Sequence, residues 1–250
     1  MTIDATNKPI PLNTDVNLVE LHHITHAYGD HTVLSNVTLS FKKDSIIVIL
    51  GKSGSGKSTL LQLINGMIRP HEGEVILDGK PIDYDDIHQL RLQIGYVVQH
   101  VGLFPHMTVR DNIGLLGKIS RKPSAQITQR MKTLMDMVRL PASYLDKYPY
   151  QLSGGEQQRA GLCRAMLLQP ALLLMDEPFA SLDYVTKQGI YRHLLEIQTT
   201  ESRTIIIVTH DWEEAIKLAD DFVWVADGTI KASGDKAKLE GLKNTYLSGS

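Results

Sequence analysis

Apolar and polar positions along this chain follow two rhythms. Short continuous runs rich in Ile, Val and Leu stand at residues 45–50, 172–175, 204–208 and 222–226, and they have the length and composition of strands. Residues 18–24 and 38–41 alternate instead, which predicts strands flanking a turn at Tyr28-Gly29-Asp30. Residues 74–79 predict a strand entering a turn, and 94–99 a strand ending on Gln99. Helical spacing follows the first continuous run, over 59–64. Between about 107 and 168 strand signals vanish, and 124–138 and 155–168 are spaced as helices. Strands alternating with helices imply a parallel α/β sheet, and the uninterrupted helical block implies a subdomain inserted into it. Residues 1–16, polar with two prolines, predict a flexible tail.

Composition narrows the class without naming a function. The chain has 250 residues, 42% hydrophobic and 22% charged, as expected of a soluble globular protein with one large domain or two small ones. A formal net charge of −2 argues against a general polyanion binder. The single cysteine, Cys163, excludes an intrachain disulfide, fits a reducing compartment and suits a small apolar packing position in a helix. No secretory hydrophobic region opens the sequence, and its longest apolar runs are far too short to span a bilayer. Any membrane association is expected through a partner.

Candidate chemistry begins at Gly51-Lys52-Ser53-Gly54-Ser55-Gly56-Lys57-Ser58, which fits the phosphate-cradling pattern G-x-x-x-x-G-K-[ST] between a predicted strand and a predicted helix starting at Thr59. The glycines let backbone N–H groups approach phosphate oxygens, and the helix N-terminus adds partial positive charge. Lys57 is placed for the β- and γ-phosphates and the Ser58 hydroxyl for Mg²⁺. Residues 172–175 lead into Asp176 and Glu177, at the strand end where parallel sheets bind ligands. Asp176 suits Mg²⁺, and Glu177 a water attacking the γ-phosphate. Ser153-Gly154-Gly155-Glu156 precedes a helix, so Ser153 is an N-cap candidate and this N-terminus a second phosphate-binding device. One loop already serves one face of a triphosphate. The second makes most sense for a nucleotide bound to another subunit.

These motifs, in this order, resemble the nucleotide-binding subunit of an ATP-binding cassette (ABC) transporter, from about residue 18 to 234. Residues 51–58 match that family's Walker A motif and 172–176 its Walker B. Residues 152–157 match the signature LSGGQ, with Glu156 where glutamine is commoner, past the two glycines, so little effect is expected. Gln99 matches the Q-loop, Ser181-Leu182-Asp183 the D-loop and His210 the switch histidine, while Tyr28 stands where the family has an adenine-stacking aromatic. The resemblance implies an α/β fold: a P-loop NTPase (RecA-like) core with an N-terminal antiparallel β-subdomain and an inserted α-helical subdomain. On that reading the ATPase domain covers 17–240, the helical insert about 100–167, and a C-terminal tail 241–250. The resemblance also implies that two copies close head to tail around two ATP molecules. Glu177, His210, Gln99 and Lys57 would be catalytic, and Ser58, Gln99 and Asp176 would hold Mg²⁺. Tyr28, Gly51, Lys52, Ser53, Gly54, Ser55, Gly56, Lys57, Ser58, Thr59 and Asp183 would contact the nucleotide, with Ser153, Gly154, Gly155 and Glu156 supplied in trans.

Partners follow from the same resemblance. Val101-Gly102-Leu103-Phe104-Pro105-His106-Met107-Thr108-Val109 has the apolar and aromatic character of a groove receiving a partner's short helix. It is similar to bacterial importer cassettes, and 94–107 with Tyr148-Pro149-Tyr150-Gln151-Leu152 resembles the branch importing osmoprotectants and quaternary amines such as glycine betaine or choline. That implies a freestanding subunit forming a homodimer, or pairing with a related cassette. It would sit on membrane permease subunits at the cytoplasmic face of the bacterial inner membrane and serve an external solute-binding protein indirectly. An exporter or lipoprotein-release ATPase is the alternative within transport. An ATPase acting on nucleic acid or translation is opposed by the short interval from Gln99 to Ser153 and by slight acidity. A scaffold binding ATP without turnover is opposed by Glu177 and His210. Four features predict no chemistry. His22-His23-x-x-His26 puts neighbouring rings on opposite strand faces. Trp212 reads as a packing or surface aromatic at a helix start, and Asp85, Asp86 and His88 as solvated. Glu213, Glu214 and Lys217 read as an ordinary charged helix face.

Overall fold

The computed structural model describes residues 17–98, 102–180, 182–201 and 203–248. Its first half contains β1 Asn17–Tyr28, β2 His31–Lys42, β3 Ile46–Leu50, α1 Lys57–Ile64, β4 Glu72–Leu77, β5 Lys80–Pro81, α2 Ile87–Leu92 and β6 Ile94–Val97. The helices α3 Val109–Ile119, α4 Ser124–Met137 and α5 Gly154–Met166 follow. After them come β7 Leu172–Asp176, α6 Tyr184–Glu201, β8 Thr204–Thr209, α7 Trp212–Leu218, β9 Asp221–Ala226, β10 Thr229–Asp235 and α8 Lys236–Ser248.

A six-stranded sheet of order β10-β9-β3-β8-β7-β6 is parallel except for β10, and an antiparallel sheet of order β2-β1-β4-β5 packs against one face. The continuous apolar runs are continuous because both faces of the large sheet are covered. Along β3, Ile46, Val48 and Leu50 join one core cluster with the inserted helices, while Ile47 and Ile49 join the other with α1 and the antiparallel sheet. The strands β7 and β8 divide the same way, Leu173 and Ile205 against Leu172 and Ile206. This is the α/β architecture expected.

The insert forms the crossover between neighbouring strands, since β6 and β7 pair from Ile94↔Leu172 to Val97↔Met175 with α3, α4 and α5 between them in sequence. Helix α3 falls within the helical block expected between about 107 and 168, and Thr108 caps it, accepting from the Asp111 amide. Strands β1 and β2 run past their alternating stretches, because register shifts around Ile24 and His26 carry the pairing through irregular positions. His23 sits in that irregular stretch at φ 52°, so the three histidines do not alternate simply. They bond separately, to Glu20, Asn36 and His71. The edge strand β10, not expected from the sequence, follows a hairpin turn at Asp227-Gly228, whose φ angles are 51° and 67°. Residues expected as a C-terminal tail continue as α8 through Ser248: Asp235 caps the helix at the Lys238 amide, and Leu239 is fully buried. The expected N-terminal tail, 1–16, lies outside the described residues.

Candidate functional site

Parallel register levels the strand ends. Leu50 on β3 pairs with Thr209 on β8, and Val208 with Asp176 on β7. The residues that follow, Gly51, His210 and Glu177, therefore leave the middle of the sheet side by side on its carboxyl edge. Gln99 follows β6, the next strand over. It lies outside the described residues, as does Ser181.

The loop between β3 and α1 is folded tightly against the protein. A β-carbon on Gly51 would stand 2.3 Å from the Val225 carbonyl oxygen. Gly56, at φ 101°, is the N-cap of α1 and makes no side-chain cap bond, so the first amides of α1 are left for another acceptor. Lys52, Ser53 and Gly54 are exposed, whereas Ser55, Gly56, Lys57 and Thr59 are buried. The Lys57 ammonium folds back across the loop and donates to the Lys52 carbonyl at 2.8 Å. Burial holds its pKa below the usual lysine value, partly offset by the charges of Glu177 and Asp176. The Ser55 hydroxyl is buried and unpartnered.

Asp176 is 6% exposed, and its Oδ1 is buried without a hydrogen-bond partner. Burial lifts its pKa above the usual carboxylate range and the Glu177 charge adds to the shift, while a hydrogen bond with Ser58 and the Lys57 charge oppose it. A hydroxyl and a carboxylate with an unused oxygen form a hard-oxygen donor set that fits Mg²⁺. Glu177 is held at φ 45°, its amide donating to the Val208 carbonyl at 2.9 Å and its own carbonyl accepting from Gln158 at 3.3 Å. A non-glycine residue in that region is a strained placement of the kind concentrated at functional sites. Its Oε1 lies 3.2 Å from His210 Nδ1.

The remaining predicted residues sit around this centre. Tyr28 is half exposed at the end of β1. Its hydroxyl donates to Gln62 Oε1 on α1 at 3.2 Å, and its ring meets His26 edge-on at 4.9 Å. Asp183 accepts from the Thr186 amide at 3.0 Å, which caps α6, and hydrogen bonds from the Thr186 side chain and amide hold its carboxyl below the usual range. Ser153 and Glu156 form a capping box on α5: the Ser153 amide donates to Glu156 Oε2 at 2.8 Å, and the Glu156 amide to Ser153 Oγ at 3.4 Å. The carboxylate of Glu156 thus takes the place of an amide oxygen in the same cap. Gly154 beside it faces open space. The structure brings residues 51–58, Asp176, Glu177 and His210 together, and leaves 153–156 bonded within their own turn on the helical insert.

Sequence reasoning missed two buried polar positions, one bracing the 104–108 loop and one beside the site. Asn112 is fully buried. It accepts from the Phe104 amide at 2.7 Å and shares its Nδ2 hydrogens among the carbonyls of Phe104, Met107 and Thr108 at 3.0–3.1 Å. Glu214, read as part of a solvated face, is 5% exposed and bonds to Thr209 and Lys187. A cap signal was available at Asp211, which accepts the Glu213 and Glu214 amides. Burial of Glu214 had no local signal. Trp212 packs in the core against Trp224, and Cys163 is a buried residue of α5.

The chain is similar to known proteins over most of its length. The family model for ABC transporters matches residues 34–180. The choline transport ATP-binding protein OpuBA of Bacillus subtilis is 41% identical over 218 residues, 87% of this chain and 57% of that protein. The carnitine transport ATP-binding protein OpuCA of Listeria monocytogenes is 42% identical over 85% of this chain and 54% of its own length. The chain thus spans little over half the length of these curated relatives. A dimeric ATP-binding cassette solved in a post-hydrolysis state with ADP and phosphate superposes with a TM-score of 0.82 at 30% identity, covering 88% of this chain and 99% of that one. With a phosphate loop, acid pair and histidine aligned on one sheet edge, and with that family model matched over more than half its length, the chain belongs to the ABC transporter family.

Proposed function

We propose that this chain hydrolyses ATP as the cassette subunit of a transporter importing an osmoprotectant, an amino-acid-like molecule or another small polar solute. The observation that carries the reading is the convergence at the strand ends: the Lys57 loop, Asp176 with its unused oxygen beside Ser58, and Glu177 within 3.2 Å of His210. The solute class rests on relatives named for choline, carnitine and glycine betaine. The amides of residues 51–58 and the Lys57 ammonium bind the β- and γ-phosphates, and Tyr28 offers its half-exposed ring to the adenine. Ser58 and Asp176, with Gln99, would hold Mg²⁺, which would supply charge neutralisation on the phosphate oxygens. Glu177 orients the attacking water and accepts its proton, while His210 steers that carboxylate and contacts the γ-phosphate.

A second copy completes each site. Ser153 of the partner subunit, with the glycines and Glu156 that follow it, presents a capped helix N-terminus to the γ-phosphate, and Asp183 lies at the same junction. The complex sits on membrane permease subunits at the cytoplasmic face of the inner membrane and works with an external solute-binding protein. Phe104, 42% exposed on the loop that Asn112 braces, and the stacked Tyr148 and Tyr150 offer the docking surface. Glu177→Gln tests the reading. ATP affinity should stay within about threefold, phosphate release should fall by about 10²–10⁴-fold, and ATP should hold the variant as a dimer in sedimentation. Full turnover by that variant would remove Glu177 from its role.

A further inference from the structure

Behind the His210 loop lies a cavity of about 100 Å³, lined by Glu177, His210, Asp211, Thr209, Lys187 and Glu214. The last two have no part in the chemistry above. Glu214 is 5% exposed, and both of its carboxylate oxygens are engaged, Oε1 by the Lys187 ammonium at 2.9 Å and Oε2 by the Thr209 hydroxyl at 2.7 Å. The same hydroxyl oxygen accepts the Asp211 amide at 3.0 Å, and the Asp211 carboxylate closes the first turn of α7 at the amides of Glu213 and Glu214, 2.8 and 3.3 Å away.

His210 is the one residue between these two anchored neighbours. Its side chain is 63% exposed, so packing does little to hold the ring, and its direction depends on the contact with Glu177 and on the backbone of Thr209 and Asp211. That backbone is pinned through Thr209 to Glu214. A carboxylate buried this deeply is costly without a charged partner, and Lys187 supplies one. Lys187 stands one turn beyond Asp183, its amide donating to the Asp183 carbonyl at 2.9 Å. The pair therefore ties the start of α6 to the loop carrying His210.

We propose that Glu214 is a positioning residue for His210, with Lys187 as its counter-ion, and that this pair transmits the position of the α6 start to the γ-phosphate end of the site. The inference rests on the roles of His210 and Glu177 given above. A buried pair that merely joined α6 to α7 would affect stability but leave the ring and the chemical step unchanged.

The test uses the full chain, with Glu214→Gln, Lys187→Met and Thr209→Val beside His210→Gln and Glu177→Gln. In proton–carbon spectra of the ligand-free protein, the His210 ring resonance is assigned by its loss in His210→Gln. Glu214→Gln should displace that resonance and leave the other histidines in place. Phosphate release at saturating Mg-ATP should fall about tenfold in kcat, with KM for ATP within about twofold. Lys187→Met should act in the same direction, and the double variant should be no slower than the worse single. If Glu214→Gln fails to fold, Lys187→Met and Thr209→Val each remove one bond and carry the same readouts. An unmoved His210 resonance, or wild-type kcat in the folded variants, would overturn the proposal. Wild-type turnover in His210→Gln would instead overturn the underlying role, while the resonance would still decide whether Glu214 sets the ring.

Discussion

Replacing Gly56 with alanine isolates the cost of seating the phosphate loop against the antiparallel sheet. Gly56 caps α1 at φ 101°, and a β-carbon there would stand 2.7 Å from Leu34 Cδ2 and 3.0 Å from the Val33 carbonyl oxygen. Left-handed backbone costs an L-residue about 1–2 kcal/mol. Leu34 is fully buried and the Val33 carbonyl belongs to β2, so neither yields freely. Overpacking of that kind adds about 1–3 kcal/mol. The expected loss is therefore about 2–5 kcal/mol. Gly54→Ala is the internal control, because Gly54 is also left-handed, at φ 80°, but has nothing within 4 Å of a β-carbon. Urea unfolding of the nucleotide-free chain measures both, provided the m-values agree. Gly56→Ala should lose at least about 1 kcal/mol more than Gly54→Ala. Equal losses would refute the steric account and leave only backbone conformation to explain the glycine.

Asn112→Leu should lower stability by about 2–3 kcal/mol, because the Phe104 amide and the carbonyls it serves lose their partner; a thermal melt matching the wild type would exclude the bracing role. Asp176→Asn should stabilise the ligand-free chain at neutral pH, by removing a buried carboxylate whose charge is poorly solvated. The sign follows from its raised folded pKa. Protonation favours the fold, so the advantage of the variant should shrink as pH falls through that value, and unfolding curves whose difference is constant with pH would contradict it. Mixing Lys57→Ala with Ser153→Arg chains should rebuild one working site per mixed dimer, whereas inactivity of a demonstrated mixed dimer would exclude a site shared between subunits.

What was legible in the sequence was local. The stretch from Ile46 to Ile64 reads correctly as strand, phosphate loop and helix because its apolar run, its glycines and its helical spacing are contiguous, and each acts on backbone within a few residues. Ser153 announced the cap of α5 by residue type and position, and Glu156 completed it three residues on. Helix α3 was legible as part of a helical block, but its seat was not, since that depends on Asn112 bonding to a loop that its own periodicity does not describe. The continuation of α8 likewise depends on Leu239 finding a core to enter.

By itself the sequence determined which residues could handle a nucleotide phosphate, because that capacity belongs to short motifs whose geometry their own backbone supplies. Only the tertiary structure decided which of them meet. Parallel register at Leu50↔Thr209 and Asp176↔Val208 set Glu177 beside His210, and burial turned Glu214 from a surface acid into a brace for the Thr209 hydroxyl. Register and burial are set by contacts between different elements of the fold, and composition within a window carries no record of them.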